Sequence, residues 1–163
     1  MKKGIYFAGG CFWGVQKFFD LVKGVLHTEV GFANGNTQNP TYEEVYTGTT
    51  GHAEVVYVQY DADVISLEDL LKKFYIIIDP TTLNAQGGDA GTHYRSGVFF
   101  VDPSEEGIIA ASLKELAGKY SQPIVVENTP LTCYYKAEEY HQEYLEKNAD
   151  GYCHLGDDYF NKA

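Results

Sequence analysis

Cysteine, tryptophan and basic charge are all scarce in this chain. Three cysteines and one tryptophan occur among 163 residues, and 12 lysines and arginines stand against 23 aspartates and glutamates. A net charge of −11 offers no electrostatic footing for nucleic acid or an anionic membrane surface. An odd cysteine count with no close pairing argues against a secreted disulfide scaffold, and no spacing forms a Cys-x-x-Cys or zinc pattern. No apolar run approaches the roughly 18 residues of a membrane span. The short apolar stretch after the basic start Met1-Lys2-Lys3-Gly4 also falls below the roughly 7–15 residues of a signal peptide. A cytoplasmic protein is expected, in which a disulfide would be transient and catalytic.

Repeats, low-complexity tracts and linkers are missing as well. What is present, 44% hydrophobic and 15% aromatic residues, suits one domain over residues 1–163 with a single core. A strand is expected at Ile5–Ala8. Val15, Phe18, Phe19 and Val22 then recur at helical spacing, with Gly24 placed to end the helix. Val25–Phe32 reads as a strand, and Thr41-Tyr42-Glu43-Glu44 has the form of a capping box opening a short helix closed by Gly48. Ala53–Tyr60 is expected to be a central strand. Ser66 opens a helix with Leu67, Leu70, Leu71 and Phe74 on one face, stopped at Asp79-Pro80. A polar, glycine-rich loop runs to Ser96. A strand at Gly97–Val101, a helix at Pro103–Tyr120, a strand at Ile124–Glu127 and a helix at Ala137–Lys147 complete the pattern. The expectation is an α+β fold: a compact two-layer domain, a mixed sheet with packed helices, and an irregular, mobile C-terminal tail over 148–163.

Gly10-Cys11-Phe12-Trp13-Gly14 carries the densest chemical information. A thiol there lies where a strand gives way to a helix, beside unpaired N–H groups and two aromatic rings able to wall an apolar slot. The helix dipole contributes only about 0.3–1 kcal/mol, less than one pKa unit. The dipole alone therefore does not make Cys11 a strong nucleophile; other donors or the substrate must help, or the cysteine is structural. Cys153 lies in a glycine-flanked tail, where it is either incidental or able to resolve an oxidised Cys11. Cys133 sits in an apolar, strand-like stretch and reads as core.

Glu54 interrupts the apolar strand Ala53-Glu54-Val55-Val56. Buried, its carboxyl would hold a raised pKa and serve as a general acid; at the strand's end it would simply face water. The loop 86–96 offers Asp89, His93 and Tyr94 as hydrogen-bonding groups and matches no nucleotide-phosphate signature. Tyr140, His141 and Tyr144 lie on the last expected helix, where packing or surface roles also suit them.

Read together, these segments resemble the A-type peptide methionine sulfoxide reductases. The resemblance rests on Gly9-Gly10-Cys11-Phe12-Trp13-Gly14, Asn39-Pro40-Thr41-Tyr42, Gly51-His52-Ala53-Glu54-Val55, Asp79-Pro80-Thr81-Thr82-Leu83-Asn84, Asp89 through Tyr94-Arg95-Ser96, His141-Gln142-x-Tyr144-Leu145 and Gly151-Tyr152-Cys153. It implies that Phe12 and Trp13 hold the substrate methyl group, while Tyr42, Tyr94 and Glu54 hydrogen-bond the sulfoxide oxygen, supported by Asp89. His141, Tyr144 and Tyr152 complete the implied substrate-binding set. Proton donation from Glu54 would make the sulfur electrophilic, so that Cys11 attacks it and is left as a sulfenic acid. Cys153 would then form a disulfide with Cys11, to be reduced by a thioredoxin-like dithiol. The resemblance further suggests the S epimer, free and protein-bound substrate and a role in repair under oxidative stress, and it implies no metal, flavin or nucleotide. A monomer is expected.

Departures from the family pattern are few: Gly88 stands where asparagine is frequent, His93 where glutamine is, Tyr46 where some members carry a further cysteine, and there is no second late cysteine. Two other functions stay open on the residues alone. A two-cysteine peroxide reductase would call for a basic residue beside the thiol. A non-enzymatic pocket for methionine-like side chains would give Cys153 no purpose.

Overall fold

The computed structural model describes residues 1–148 and 157–163. Its elements run β1 (Lys2–Gly9), α1 (Phe12–Asp20), β2 (Val25–Ala33), α2 (Tyr42–Tyr46), β3 (Ala53–Asp61), α3 (Leu67–Ile76), β4 (Ala85–Gln86), β5 (Asp89–Ala90), β6 (Ser96–Phe100), α4 (Glu106–Ala117), β7 (Glu127–Pro130), β8 (Tyr134–Lys136), α5 (Tyr144–Lys147) and α6 (Asp157–Phe160). Among the described residues, six strands form one sheet in the order β7-β6-β1-β3-β2-β8. Only the β6–β7 pair is parallel, which makes the sheet mixed. β1 and β2 flank β3 and are joined through α1, a split β-α-β unit.

Alternation along the strands sorts the side chains into two layers. Ile5, Phe7, Val30, Phe32, Val56 and Val58 face the helices and pack with Val15, Phe18 and Phe19 of α1 and Leu70, Leu71 and Phe74 of α3. Phe7 lies at the centre, its ring 4.9 Å from that of Phe19 and 4.6 Å from that of Phe74; each such pair adds about 0.5–1.5 kcal/mol beyond burial. On the opposite face Ala8, Ala33, Ala53, Val55 and Phe99 form a smaller cluster. The expected central strand is thus observed, and so are the capping box at Thr41 and Glu44 and the Ser66 cap of α3. Gly24 takes φ 101°, as the turn into β2 requires.

Several expectations are corrected. The segment read as one helix over Ala137–Lys147 is a 3₁₀ turn at Glu139–His141 followed by α5. The break is tertiary in origin. The Gln142 amide grips the β2 backbone, Val30 N–H donating to its Oε1 and its Nε2 donating to Val30 O, both at 2.9 Å. Gln16 Oε1 accepts the Glu143 N–H at 2.8 Å, and Glu143 adopts φ 54°.

The strand expected at Ile124–Glu127 begins at Glu127, opposite Gly97, where ladder pairing with β6 starts. The helix expected from Pro103 opens as a 3₁₀ turn at Pro103–Glu105 and ends at Ala117. Cys133 is half-buried rather than core, its thiol 3.7 Å from Gly35 O. The tail expected to be irregular includes the short helix α6; residues 149–156, with Tyr152 and Cys153, lie outside the described residues.

The polar loop after Asp79 is also more ordered than expected. β4 and β5 pair as a small ribbon, and a 3₁₀ turn at Thr92–Tyr94 leads into β6. Gln86, 3% exposed, ties it together. Its Oε1 accepts the Asp79 N–H at 2.7 Å, while its Nε2 donates to Asp79 O at 2.8 Å and Ser96 Oγ at 2.9 Å.

Candidate active site

Gly10, at φ 87°, turns the chain out of β1 and delivers Cys11 to the N-cap of α1. Cys11 is 3% exposed, and its side chain makes no capping hydrogen bond to the helix. The acceptor comes instead from the central strand. Glu54 shares the helix-facing side of β3 with Val56 and Val58, and its Oε1 accepts the Phe12 N–H at 3.2 Å. A carboxyl oxygen thereby satisfies one of the unpaired N–H groups at the start of the helix.

Glu54 is 1% exposed, which removes the strand-end, water-facing reading. Its Oε2 has no hydrogen-bond partner among the described residues. Burial pushes its pKa from the ordinary 4.5 up to about 8; the Phe12 N–H opposes the shift and the nearby Asp89 charge adds to it. Near pH 7 such a carboxyl is held mainly in its protonated form.

Tyr42 opens α2 and Tyr94 ends the 3₁₀ turn before β6. The two phenols influence each other electrostatically, and burial together with the Glu54 and Cys11 charges pushes both proton affinities upward. Both therefore remain neutral donors near pH 7. Asp89, on β5, reaches Glu54, Tyr94 and His93 electrostatically. Cys11, Glu54, Tyr42, Tyr94 and Asp89, drawn from five separate segments, thus converge.

Next to this group lies a cavity of about 490 Å³ lined by Trp13, Tyr42, Glu43, Tyr46, Tyr140, His141 and Tyr144. Tyr42 belongs to both. The Trp13 ring stacks on Tyr144 at 3.9 Å, and the Tyr42 ring on His141 at 4.3 Å. Trp13 Nε1 donates to His141 Nδ1 at 3.1 Å. An indole N–H can only donate, so His141 is held as the neutral tautomer protonated on Nε2. Burial lowers the His141 pKa, consistent with that form. Phe12, expected as a pocket wall, is 0% exposed; its ring lies beneath, 6.1 Å from Tyr42 and 5.7 Å from His141. His93 is buried against the Tyr94 ring at 3.9 Å.

Two supporting residues escaped the sequence reading. Gln86 holds the loop that carries Asp89 and Tyr94. Glu138 accepts the Tyr42 N–H on Oε1 at 3.2 Å, with Oε2 3.6 Å from His141 Nε2. Neither carries a local signal, because each acts through contacts distant in sequence. Among the described residues no group of three or more His, Cys, Asp or Glu could hold a metal, and no helix is long and apolar enough to cross a membrane.

Residues 3–162 match the family described as peptide methionine sulfoxide reductase. A relative from Lachnoclostridium phytofermentans, Peptide methionine sulfoxide reductase MsrA, is 55% identical over 163 residues, all of this chain and 98% of its own length. The solved structure of methionine sulfoxide reductase A of Corynebacterium diphtheriae superposes with a TM-score of 0.90 at 39% identity, covering 93% of this chain and 77% of that one. Saccharomyces cerevisiae Mxr1, solved in complex with Trx2, is similar at a TM-score of 0.64 and 29% identity, covering 88% and 84%.

Proposed function

The chain belongs to the peptide methionine sulfoxide reductase family, and from that premise we propose how its residues divide the work. It is a thiol-dependent reductase of methionine sulfoxide, recycled by thioredoxin. The finer assignments below are our reading, and one observation carries them: the buried, mostly protonated carboxyl of Glu54 hydrogen-bonded to the residue that follows Cys11.

The sulfoxide oxygen accepts from Glu54, Tyr42 and Tyr94, while the methyl group rests against Trp13, with Phe12 supporting the floor from below. Proton transfer from Glu54 makes the sulfur electrophilic. The Cys11 sulfur attacks it as the thiol proton passes to the carboxylate left on Glu54, the sulfoxide S–O bond breaks as the protonated oxygen moves to the Cys11 sulfur, and methionine leaves with its lone pair restored. The thiol and sulfoxide have become a sulfenic acid and a thioether. This supplies the activation that the helix dipole alone does not. Asp89 supports the hydrogen-bonding network, and His141 and Tyr144 orient Trp13.

Cys153 and Tyr152 keep the resolving and substrate-binding roles that the family resemblance implies. Attack by Cys153 on the sulfenic acid releases water and leaves a Cys11–Cys153 disulfide, which a thioredoxin dithiol reduces. The substrate is the S epimer, free or protein-bound, and the enzyme acts as a monomeric catalytic domain over residues 1–163 in the cytoplasm. The peroxide-reductase alternative gains nothing from the site. Among the described residues the titratable neighbours acting on it include the carboxyls of Glu54 and Asp89, and the chain's one arginine, Arg95, donates instead to Glu127 at 3.2 Å.

The test is to present the separated epimers of a methionine sulfoxide peptide with dithiothreitol, then repeat without reductant and map disulfides by mass. Consumption of the S epimer alone and a Cys11–Cys153 cross-link are expected. Reduction of the R epimer alone, or a cross-link through Cys133, refutes the assignment.

A further inference from the structure

Between His141 and Tyr144, whose rings flank Trp13, stands Glu143. Its backbone takes φ 54°, a left-handed conformation that a residue with a Cβ keeps only where its surroundings hold it. The Glu143 N–H is taken by Gln16 Oε1 of α1 at 2.8 Å. Its side chain lines a second cavity of about 510 Å³, together with Gln16 and Asp20 of α1 and Thr28 of β2.

One hydroxyl joins these groups. Thr28 Oγ1 accepts from Gln16 Nε2 at 3.3 Å and lies 2.5 Å from Asp20 Oδ1 and 3.4 Å from Glu143 Oε1. A threonine hydroxyl has one hydrogen and two lone pairs. The nearer contact assigns the hydrogen to Asp20, and Gln16 occupies one lone pair. Glu143 can then engage Oγ1 only as a donor, which requires a protonated carboxyl. Burial first and the Asp20 carboxyl second push its pKa the same way, from 4.5 to about 8, with the Thr28 hydroxyl opposing and the Glu146 charge adding.

The surrounding bases are turned elsewhere. His27 of β2 lies 4.0 Å from Glu29, and Lys136 of β8 faces Glu29 and Glu139. Lys17 of α1 stands over the Phe160 ring, and Lys147 of α5 donates to Glu139 O. Ionised together, Asp20 and Glu143 would therefore repel, with a single hydroxyl hydrogen to share.

Accepting that the Trp13 cleft holds the substrate, we propose that Glu143 is a positioning residue: its protonated side chain fastens the segment bearing His141 and Tyr144 to α1, and its ionisation in alkali loosens that segment and the cleft wall with it. Glu143 acts through the segment, not on the substrate. The hold is complete in acid and is lost as pH rises through about 8. Substrate capture then weakens through KM, separately from the loss of the Glu54 proton, which acts on the chemical step.

The chain's one tryptophan reports the segment directly, since its ring stacks 3.9 Å from Tyr144 and its Nε1 donates to His141. Fluorescence of the full chain is titrated from about pH 6 to about pH 9.5 in a Glu54→Gln background, which silences the other carboxyl of raised pKa. Trp13 emission should move to longer wavelength with a midpoint at about pH 8. Adding Glu143→Gln, which keeps a donor to Thr28 at every pH, should abolish the change, and adding Asp20→Asn should move it to lower pH. A flat titration, or a transition that either substitution leaves unmoved, overturns the proposal. With Glu54 in place, KM for N-acetyl-methionine S-sulfoxide amide should rise about 3–10-fold over the same range, the scale of one hydrogen bond. The Glu143→Gln enzyme should keep its KM and share the fall in kcat; equal KM profiles refute the link to the cleft. Failure to reduce this substrate near neutral pH refutes the activity, while the fluorescence still decides the role of Glu143.

Discussion

Replacing Glu54 by glutamine should make the protein more stable and nearly inactive. The magnitude follows from burial. Moving the carboxyl pKa from 4.5 to about 8 corresponds to about 5 kcal/mol of lost preference for the charged form. The sign is set by proton counts. From about pH 5 to about pH 8 the folded protein keeps a proton on Glu54 that the unfolded chain has released, so each unit of rising pH removes about 1.4 kcal/mol from the unfolding free energy. Stability from this group is fully present below pH 4.5 and gone above about pH 8. Glutamine keeps an oxygen for the Phe12 N–H and has no charge to bury. The stability difference between mutant and wild type should therefore be flat in acid, then climb to about 5 kcal/mol near pH 9. Sulfoxide reduction should meanwhile fall about 10²–10⁴-fold. Urea unfolding of both proteins at unit steps from about pH 4 to about pH 9 measures the first claim, and single-turnover reduction the second. Parallel stability profiles would show that Glu54 does not hold its proton in the fold, and the general-acid role would fall with that.

Three further outcomes are expected. Cys11→Ser should abolish reduction with any reductant, whereas Cys153→Ser should complete about one turnover and then stall with thioredoxin; sustained thioredoxin-driven turnover would remove Cys153 from the cycle. Gln86→Leu should cost about 1–3 kcal/mol, because it strands the Asp79 N–H and takes one donor from the Asp79 carbonyl and from Ser96 Oγ, and should lower kcat as Asp89 and Tyr94 lose their support; an unchanged denaturation midpoint contradicts this. Trp13→Phe retains the ring but removes the indole N–H, so KM should rise about 3–10-fold with little change in kcat. Protonated His141 cannot accept from Trp13, so the wild-type KM should also rise in acid, below the ordinary histidine range; the variant should lack that rise, and identical pH profiles would disprove the link.

Much of this architecture could be read from the chain because it is local. The stripe Val15, Phe18, Phe19 and Val22 marks α1, and the reciprocal Thr41–Glu44 cap marks the start of α2. Glu54 stood out because strand alternation assigns it to an apolar face. What could not be read is held by side chains gripping distant backbone. Gln142 clasps Val30 and Gln16 takes the Glu143 N–H, breaking an apparent helix in two. Gln86 organises a segment whose glycines and polar residues spell only a loop. The depth of Phe12 was equally hidden, since its neighbour Trp13 has the same apolar character yet lines the cavity, and only the packing of α1 against β2 distinguishes them.

The Phe12 N–H to Glu54 bond has a consequence for how the enzyme fails. Thiol and carboxyl are separated by a single peptide link and one hydrogen bond at the ends of the inner strands β1 and β3, whereas the aromatic recess depends on α2, α5 and the Glu139–His141 turn, each less than two helical turns long. Heat should therefore erode substrate capture well before it disturbs the reacting pair, and a partly melted population would still turn over slowly at saturating substrate.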